Sequence, residues 1–427
     1  MNGRRVVVVD GCRTPFLRSG TDFFDFRPYD LGRLAVAGLL HRAPVAPAQV
    51  DLLVYGIVVA DPSTSNVARE VGLASGLPNS VPAYTVTVAC VSANTALLNA
   101  ANAIALGQAE VAIAGGTDTL SDAPIRFSRP IRKRLIASQK ARGLTGKLGM
   151  LKGLKLKDLA PEVPAIADFS TGLSMGQNAE RLAKRLGITR EEQDAYALRS
   201  HQLAAKAQRE GLLKDQIVPV YVPPGYKRVD ADNGVRADAT AEKLGSLKPA
   251  FDRRFGTVTA ANSSYLTDGA SAVLLMSEEK AAALGVKPLA AIRSVSLTAM
   301  DPLDELLLGP AFAIPDALDR AGLRMEEIGV FEIHEAFAAQ MAAVLKLLPD
   351  HGFAVDRLGR GEAVGEVPME KLNLWGGSLS LGHPFGATGG RLVTTCCRRM
   401  EREGAKYGLV AACAAGAIGN AIVLERV

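Results

Sequence analysis

At 427 residues the chain exceeds the size at which one hydrophobic core stops growing, so two or three domains are expected. It is 48% hydrophobic and 22% charged, with 42 Gly, 22 Pro and one Trp; this is the composition of a globular protein built from α/β layers, and no apolar run approaches the ~18 residues of a membrane span. The net charge of +5 is modest, no nucleic-acid module is visible and aromatic interleaving is sparse, so nucleic acid is not an expected partner.

The N-terminus leads at once into Val6-Val7-Val8-Val9, a buried-strand pattern too short for a signal-peptide core. The expected compartment is the cytoplasm, and an odd count of five cysteines there reads as free thiols. A turn at 11–16 precedes a helix over 29–41, a strand over 51–59, a helix over 66–75 and a strand over 83–88 that ends at Cys90. A helix over 91–106 and a strand over 110–116 complete the unit. Strands and helices alternating in this way predict βαβ crossovers and a largely buried sheet.

The pattern changes between 121 and 248, where a large insertion is expected on the α/β core. Residues 126–157 carry many Lys and Arg and no Asp or Glu. Three readings stand beside a plain solvated loop: attraction of a phosphate-bearing ligand, an anionic membrane surface, or a partner protein. Helices are predicted over 177–186 and from Thr189-Arg190-Glu191-Glu192, a capping-box start, to about Glu210. Strand-like sequence returns over 258–276. From Lys287 onward the order of the first part recurs: strand 290–295, helix 312–321, strand 330–333, a helix after Gly386 and strand 408–412. This is an internal pseudo-repeat of two α/β halves, and it makes the Cys90 loop and the His383 loop equivalent.

Four places carry chemistry. Cys90 lies between a strand and a helix N-terminus, where exposed N–H groups favour a thiolate and hence a nucleophile; a buried inert cysteine is the alternative. His383 sits in Leu374–Gly390 among six glycines and one proline, a backbone that lets another group approach closely; an ordinary loop histidine is the alternative. His334 and Glu335 stand where a strand gives way to a helix, as active-site groups or as a cap. Cys413 ends a buried strand at a small-residue turn, a place more often core than catalytic. Cys396, Cys397 and Cys12 read as packing. Neither Cys-x-x-Cys nor His-Glu-x-x-His spacing occurs, so no metal is expected, and a Rossmann fingerprint is missing after the first strand.

Taken together, these residues resemble the thiolase family. The marks are Gly11-Cys12-Arg13-Thr14-Pro15-Phe16, Cys90, Asn262-Ser263-Ser264 with Thr267-Asp268-Gly269-Ala270, His334-Glu335-Ala336-Phe337, Gly382-His383-Pro384-Phe385-Gly386-Ala387-Thr388-Gly389 and Cys413. They follow the family's order over nearly the whole chain. His334 stands where most members have asparagine; with the basic insertion and Cys413-Ala414-Ala415-Gly416, this is similar to the β-subunits of trifunctional fatty-acid oxidation complexes and their bacterial counterparts.

The resemblance implies a layered αβαβα core of two halves, residues 1–120 with 249–286 and residues 287–427, carrying an inserted loop domain at 121–248. It implies a 3-ketoacyl-CoA thiolase: His383 deprotonates Cys90, the thiolate attacks the C3 carbonyl, and Cys413 protonates the departing acetyl-CoA enolate and later deprotonates CoA. His383 and His334 would hold the thioester oxygen, and the backbone N–H groups of Cys90 and Ala415 the oxyanion at the attacked carbonyl. Arg236 and Ser264 match positions that contact CoA; Met175 and Phe337 match positions lining the pocket. CoA is implied as co-substrate, without a permanently bound cofactor. A homodimer or homotetramer is expected, with a hydratase/dehydrogenase subunit or a membrane surface as further partners through 126–157. Two departures from the family stand out besides His334: Tyr265 replaces a small residue, and Ala417 stands where glycine is usual. A biosynthetic acetoacetyl-CoA thiolase would use the same Cys-His-Cys set, whereas a non-catalytic scaffold subunit would have no need of it.

Overall fold

The computed structural model describes residues 3–140, 153–163 and 166–427. Residues 141–152 of the basic stretch, and residues 164–165 beyond it, lie outside the described residues. The main sheet is built from β1 (Val6–Arg13), β2 (Leu17–Arg18), β3 (Leu52–Gly56), β4 (Ala83–Val86) and β5 (Val111–Asp118). A separate hairpin pairs β6 (Val220–Val222) with β7 (Lys227–Val229). The main sheet continues with β8 (Thr267–Ser277), β9 (Ala290–Ala299), β10 (Val330–Ile333), β11 (Tyr407–Ala414) and β12 (Ile418–Glu425). Every residue of β1, β5, β8 and β11 is buried. That burial on both faces is why these segments read as continuous apolar or small-residue runs rather than as alternation.

Strand order runs β10-β11-β12-β9-β1-β8-β5-β3-β4, with β2 set beside β8. The pseudo-repeat is explicit in the pairing. In the first half, β1–β8 and β8–β5 are antiparallel and β5–β3 parallel. In the second, β9–β12 and β12–β11 are antiparallel and β11–β10 parallel. The first half adds β4 parallel to β3, where the second has one parallel bridge from Phe331 to Leu372. Among the described residues, β1 and β9 join the halves in the sheet at two residue pairs, Val7 with Ala291 and Val8 with Ala290.

Helices supply the remaining layers. The Pro28–Arg42 helix covers β5 and β8 on one outer face, and Gly309–Ala321 covers β9 and β12 on the other. Between them the Ser92–Ala105 helix packs on Thr388–Glu403, which touches β1, β5 and β8 of the first half and β10 and β11 of the second. The result is the layered αβαβα arrangement. Cys396 and Cys397 lie in the central apolar cluster, and Cys12 in the outer cluster of the first half, all three as packing.

Two sequence expectations end differently. Residues 258–266 do not join β8 as strand, because Asn262 accepts from the Thr259 amide at 2.7 Å and donates to Asp194 at 2.9 Å. Those side-chain bonds offer the backbone a turn instead of a ladder. The strand expected over 51–59 stops at Gly56, where the Asp118 carboxylate takes over the Val58 and Val59 amides. In the insertion, Thr189 accepts from the Glu192 amide at 3.2 Å and Glu192 accepts from the Thr189 amide at 2.7 Å, the capping box read from the sequence.

Candidate active site

Cys90 occupies a tight turn between β4 and the Ser92–Ala105 helix. Ser92 Oγ accepts from the Val88 amide at 2.9 Å and donates to the Ala89 carbonyl at 2.7 Å. Ala89 is driven to φ 43°, a left-handed conformation that costs an L-residue about 1–2 kcal/mol. The turn leaves Cys90 half-buried, with buried His334, His383 and Cys413 on its inner side. Burial pushes the thiol up to about 12, against backbone hydrogen bonds from Ala415 and from Cys90 itself that pull it down. Of the two readings the sequence left open for Cys90, a thiolate favoured by the helix N-terminus and a buried thiol, burial favours the protonated thiol. Desolvation outweighs the helix N-terminus, and the nucleophile needs a base.

That base is in place. One ligand atom each from Cys90, His334 and His383 lies within 4.8 Å of the others, and the two imidazole centroids are 4.1 Å apart. Linear spacing hid this convergence of three donors. Thr388 Oγ1 donates to the Pro384 carbonyl at 3.0 Å, so at 2.7 Å from His383 Nδ1 it accepts. A hydroxyl has one proton to give. With that assignment of the hydroxyl proton, His383 carries its own proton on Nδ1 and leaves Nε2, which has no hydrogen-bond partner among the described residues, as the bare nitrogen. Burial, with Arg391 behind it, lowers His383 to about 3 and keeps the ring neutral. His334 is likewise held neutral, by burial first and then by His383 and Arg391. Gly382, at φ 102°, makes the turn that delivers His383.

Cys413 is buried at the end of β11, and its thiol is raised by burial and by the neighbouring Cys90. Beyond it the chain turns through Gly416 at φ 81° and Ala417 at φ 56°. That left-handed geometry explains why glycine is at home at 417 and why alanine there carries strain. The arrangement thus holds two thiols, a neutral base and a second imidazole at one point between the halves.

Thiolase N-terminal and C-terminal domain models match residues 6–279 and 286–426. The chain belongs to the thiolase family. It is 53% identical to the mitochondrial trifunctional enzyme subunit beta of Bos taurus over 424 residues, 99% of this chain and 89% of that protein. It is 47% identical to a Yersinia enterocolitica 3-ketoacyl-CoA thiolase over 423 residues, 99% and 97% of the two. Among solved structures, the Bacillus anthracis acetyl-CoA acetyltransferase superposes with a TM-score of 0.86 at 34% identity, covering 100% of both chains. Human mitochondrial 3-ketoacyl-CoA thiolase in complex with CoA gives 0.83 at 31%, covering 99% and 98%.

The other expected residues divide between the apolar core and the surface. Met175 and Phe337 join Cys413 in one apolar cluster, with Phe337 set edge-on to Phe251 at 6.2 Å. The Ser264 amide donates to the Ala336 carbonyl at 3.0 Å. Arg236 is exposed, its amide bonded to His201 Nδ1 at 3.2 Å. Tyr265 lies under the Arg18 guanidinium at 4.3 Å and donates to the Ser380 carbonyl at 3.0 Å, bracing the His383 loop.

Glu335 is a structural hub rather than an acid. Its buried carboxylate accepts from Tyr196, Ser200, Asn373 and the Leu379 amide, which ties the insertion to the site. Thr388 and Ser378 give no signal in the sequence, because a hydroxyl residue near a histidine has no spacing signature. Two glycines of that loop admit the close approach of groups from the first half. A Cβ at Gly389 would lie 2.1 Å from Asn94 Oδ1, and one at Gly390 2.3 Å from Ser271 Oγ. These positions let the two halves close on each other.

Proposed function

We propose that the chain catalyses CoA-dependent thiolysis of 3-ketoacyl-CoA to acetyl-CoA and a shortened acyl-CoA, as an acetyl-CoA C-acyltransferase of fatty-acid β-oxidation. The observation that carries this reading is the convergence of Cys90, His334 and His383 with Cys413 alongside. His383 Nε2 takes the Cys90 proton as the sulfur attacks the C3 carbonyl. The C2–C3 bond then breaks, leaving Cys90 acylated and the electron pair on the acetyl-CoA enolate. Cys413 returns a proton to that carbon, then takes one from incoming CoA, whose sulfur attacks the acyl carbon and displaces Cys90, which recovers its proton from His383. His334, and His383 once protonated, face the thioester oxygen; the amides of Cys90 and Ala415 face the oxyanion at C3. Neutral imidazoles in a dry site suit this chemistry, because charge appears only as the reaction creates it. Arg236 and Ser264 are assigned to CoA, Met175 and Phe337 to the acyl pocket.

The test is turnover of a series of 3-ketoacyl-CoA substrates with CoA. Preference for acetoacetyl-CoA would turn the reading to the biosynthetic direction, which the likeness to an acetyl-CoA acetyltransferase keeps in view. A Cys90→Ser chain with undiminished thiolysis would remove the catalytic assignment and leave a scaffold subunit.

We further infer a homo-oligomer that docks a hydratase/dehydrogenase subunit through the insertion. Ile125, Phe127, Ile136, Leu156 and Leu159 are exposed there beside Arg126, Arg129 and Lys133, an apolar and basic face of the kind partners cover. Deletion of 126–157 should abolish co-purification; loss of salt-sensitive binding to anionic vesicles instead would assign the face to lipid. Five free cysteines fit a reducing compartment, for which we propose the cytoplasm, tested by cell fractionation.

A further inference from the structure

His334 and His383 stand at the same reaction point with no difference in residue type, yet thiolysis asks for one base and one hydrogen-bond donor. The surrounding hydroxyls distinguish them. On the His383 side, Thr388 has already spent its proton on Pro384 and accepts from Nδ1. On the His334 side the order is reversed. Ser378 Oγ lies 2.8 Å from His334 Nδ1 and accepts from Arg391 Nη2 at 2.9 Å. A guanidinium only donates, so the Ser378 proton is left for His334 Nδ1. If Nδ1 donated instead, the Ser378 proton would sit in a fully buried site with no acceptor among the described residues, the costly alternative. His334 therefore has a bare Nδ1 and carries its proton on Nε2, an atom that is buried and without a protein partner among the described residues.

Arg391 makes the chain of hydrogen bonds directional. It is fully buried, its Nη1 lies 3.6 Å from Glu332, and that carboxylate is held more closely by Arg399, at 2.8 Å. The Arg391 charge is thus incompletely matched. It is aimed through Ser378 at the back of the His334 ring, and successive hydrogen bonds of one sense polarise each other.

We propose that Arg391 and Ser378 are positioning residues that lock His334 as an Nε2–H donor polarised by a buried cation, while Thr388 locks the adjacent His383 as the opposite tautomer and sole base. This rests on the thiolysis reading above. The histidine at 334 thereby becomes a direct donor to the thioester oxygen, incapable of competing with His383 for the Cys90 proton.

The first test is the ¹⁵N spectrum of the full-length protein labelled at histidine, with resonances assigned through His334→Asn and His383→Asn. The expected result is a protonated Nε2 and bare Nδ1 for His334, and the reverse for His383. The same tautomer in both rings, or the reversed pair, overturns the proposal; the tautomers are read in the parent protein, and the two histidine variants serve only to assign its resonances. The second test is Ser378→Ala. The His334 Nε2–H signature should disappear or mix with its tautomer, and kcat should fall about 10- to 100-fold, less than the ~10²- to 10³-fold of an oxyanion donor removed outright because the ring itself remains, with KM for CoA within about twofold. Ser378→Thr, which keeps the hydroxyl, should restore both readouts. Ser378→Ala with unchanged kcat and an unchanged His334 spectrum overturns the relay while Cys90→Ser remains inactive; activity in Cys90→Ser would instead remove the thiolysis reading.

Discussion

The contact between Gly389 and Asn94 sets how closely the base can approach the nucleophile, and Gly389→Ala perturbs it alone. Gly389 is the second residue of the Thr388–Glu403 helix, and Asn94 the third of the Ser92–Ala105 helix. An added Cβ would lie 2.1 Å from Asn94 Oδ1 and 2.7 Å from its backbone nitrogen. The amide group can swing aside, since neither Oδ1 nor Nδ2 has a partner among the described residues. The backbone nitrogen cannot, so the helices must separate by at least ~0.7 Å to regain van der Waals distance. Overpacking of this kind costs about 1–3 kcal/mol, which a urea denaturation midpoint would register. The same shift moves Cys90 away from His383, because each lies just before one of these helices. Misplacement near 1 Å lowers rates by up to ~10²-fold, so kcat for thiolysis should fall at least about tenfold while KM for CoA changes little. Gly225→Ala, where an added Cβ meets nothing, is the matched control and should be neutral. A Gly389→Ala enzyme with kcat within twofold of the parent would refute the idea that the interhelical contact sets the catalytic distance.

Other outcomes follow from the buried charges. Asp232→Asn should destabilise the fold by about 3–5 kcal/mol in equilibrium unfolding, because Asp232 holds the fully buried Arg13 at 2.6 and 2.8 Å and the Phe16 amide at 2.7 Å. Glu332→Gln should cost a similar amount, as it leaves Arg391 and Arg399 without their shared anion; a loss below ~1 kcal/mol would contradict this. His383, lowered to about 3 by burial, binds its proton more weakly folded than unfolded. Its contribution is complete above the ordinary histidine range and is lost as pH falls from about 6.5 toward 3, at up to ~1.4 kcal/mol per pH unit. Denaturation midpoints measured over that window should therefore fall less steeply for His383→Asn than for the parent. For the same reason, no acid limb from His383 is expected in kcat/KM between pH 5 and 8; a limb near 6.5 that disappears in His383→Asn would show a base with an ordinary pKa.

What was legible in the sequence was the placing of reactive residues at element ends. Cys90, His383 and Cys413 each follow or precede a strongly patterned strand or helix, and the repeat of those patterns makes the Cys90 and His383 loops counterparts. Side-chain detail was hidden, because it depends on groups brought together from distant positions. The thiol of Cys90 is set by desolvation that no local pattern encodes. Glu335 looked like a neighbour of the chemistry and is a tie to the helix bearing Tyr196 and Ser200, 139 and 135 residues away in sequence. Asn262 ended an apparent strand because its partner Asp194 lies in the insertion. Thr388 and Ser378 acquire meaning only once two imidazoles point at one place.

Among the described residues, β1 and β9 join the two half-sheets at the Val7–Ala291 and Val8–Ala290 pairs, while Cys90 belongs to one half and His383 and Cys413 to the other. The reaction centre is therefore a seam, and turnover works as a gauge of how tightly that seam is shut. On warming, thiolysis should fade before far-ultraviolet ellipticity does, because a small parting of the halves disarms the nucleophile while each sheet keeps its own ladder of hydrogen bonds.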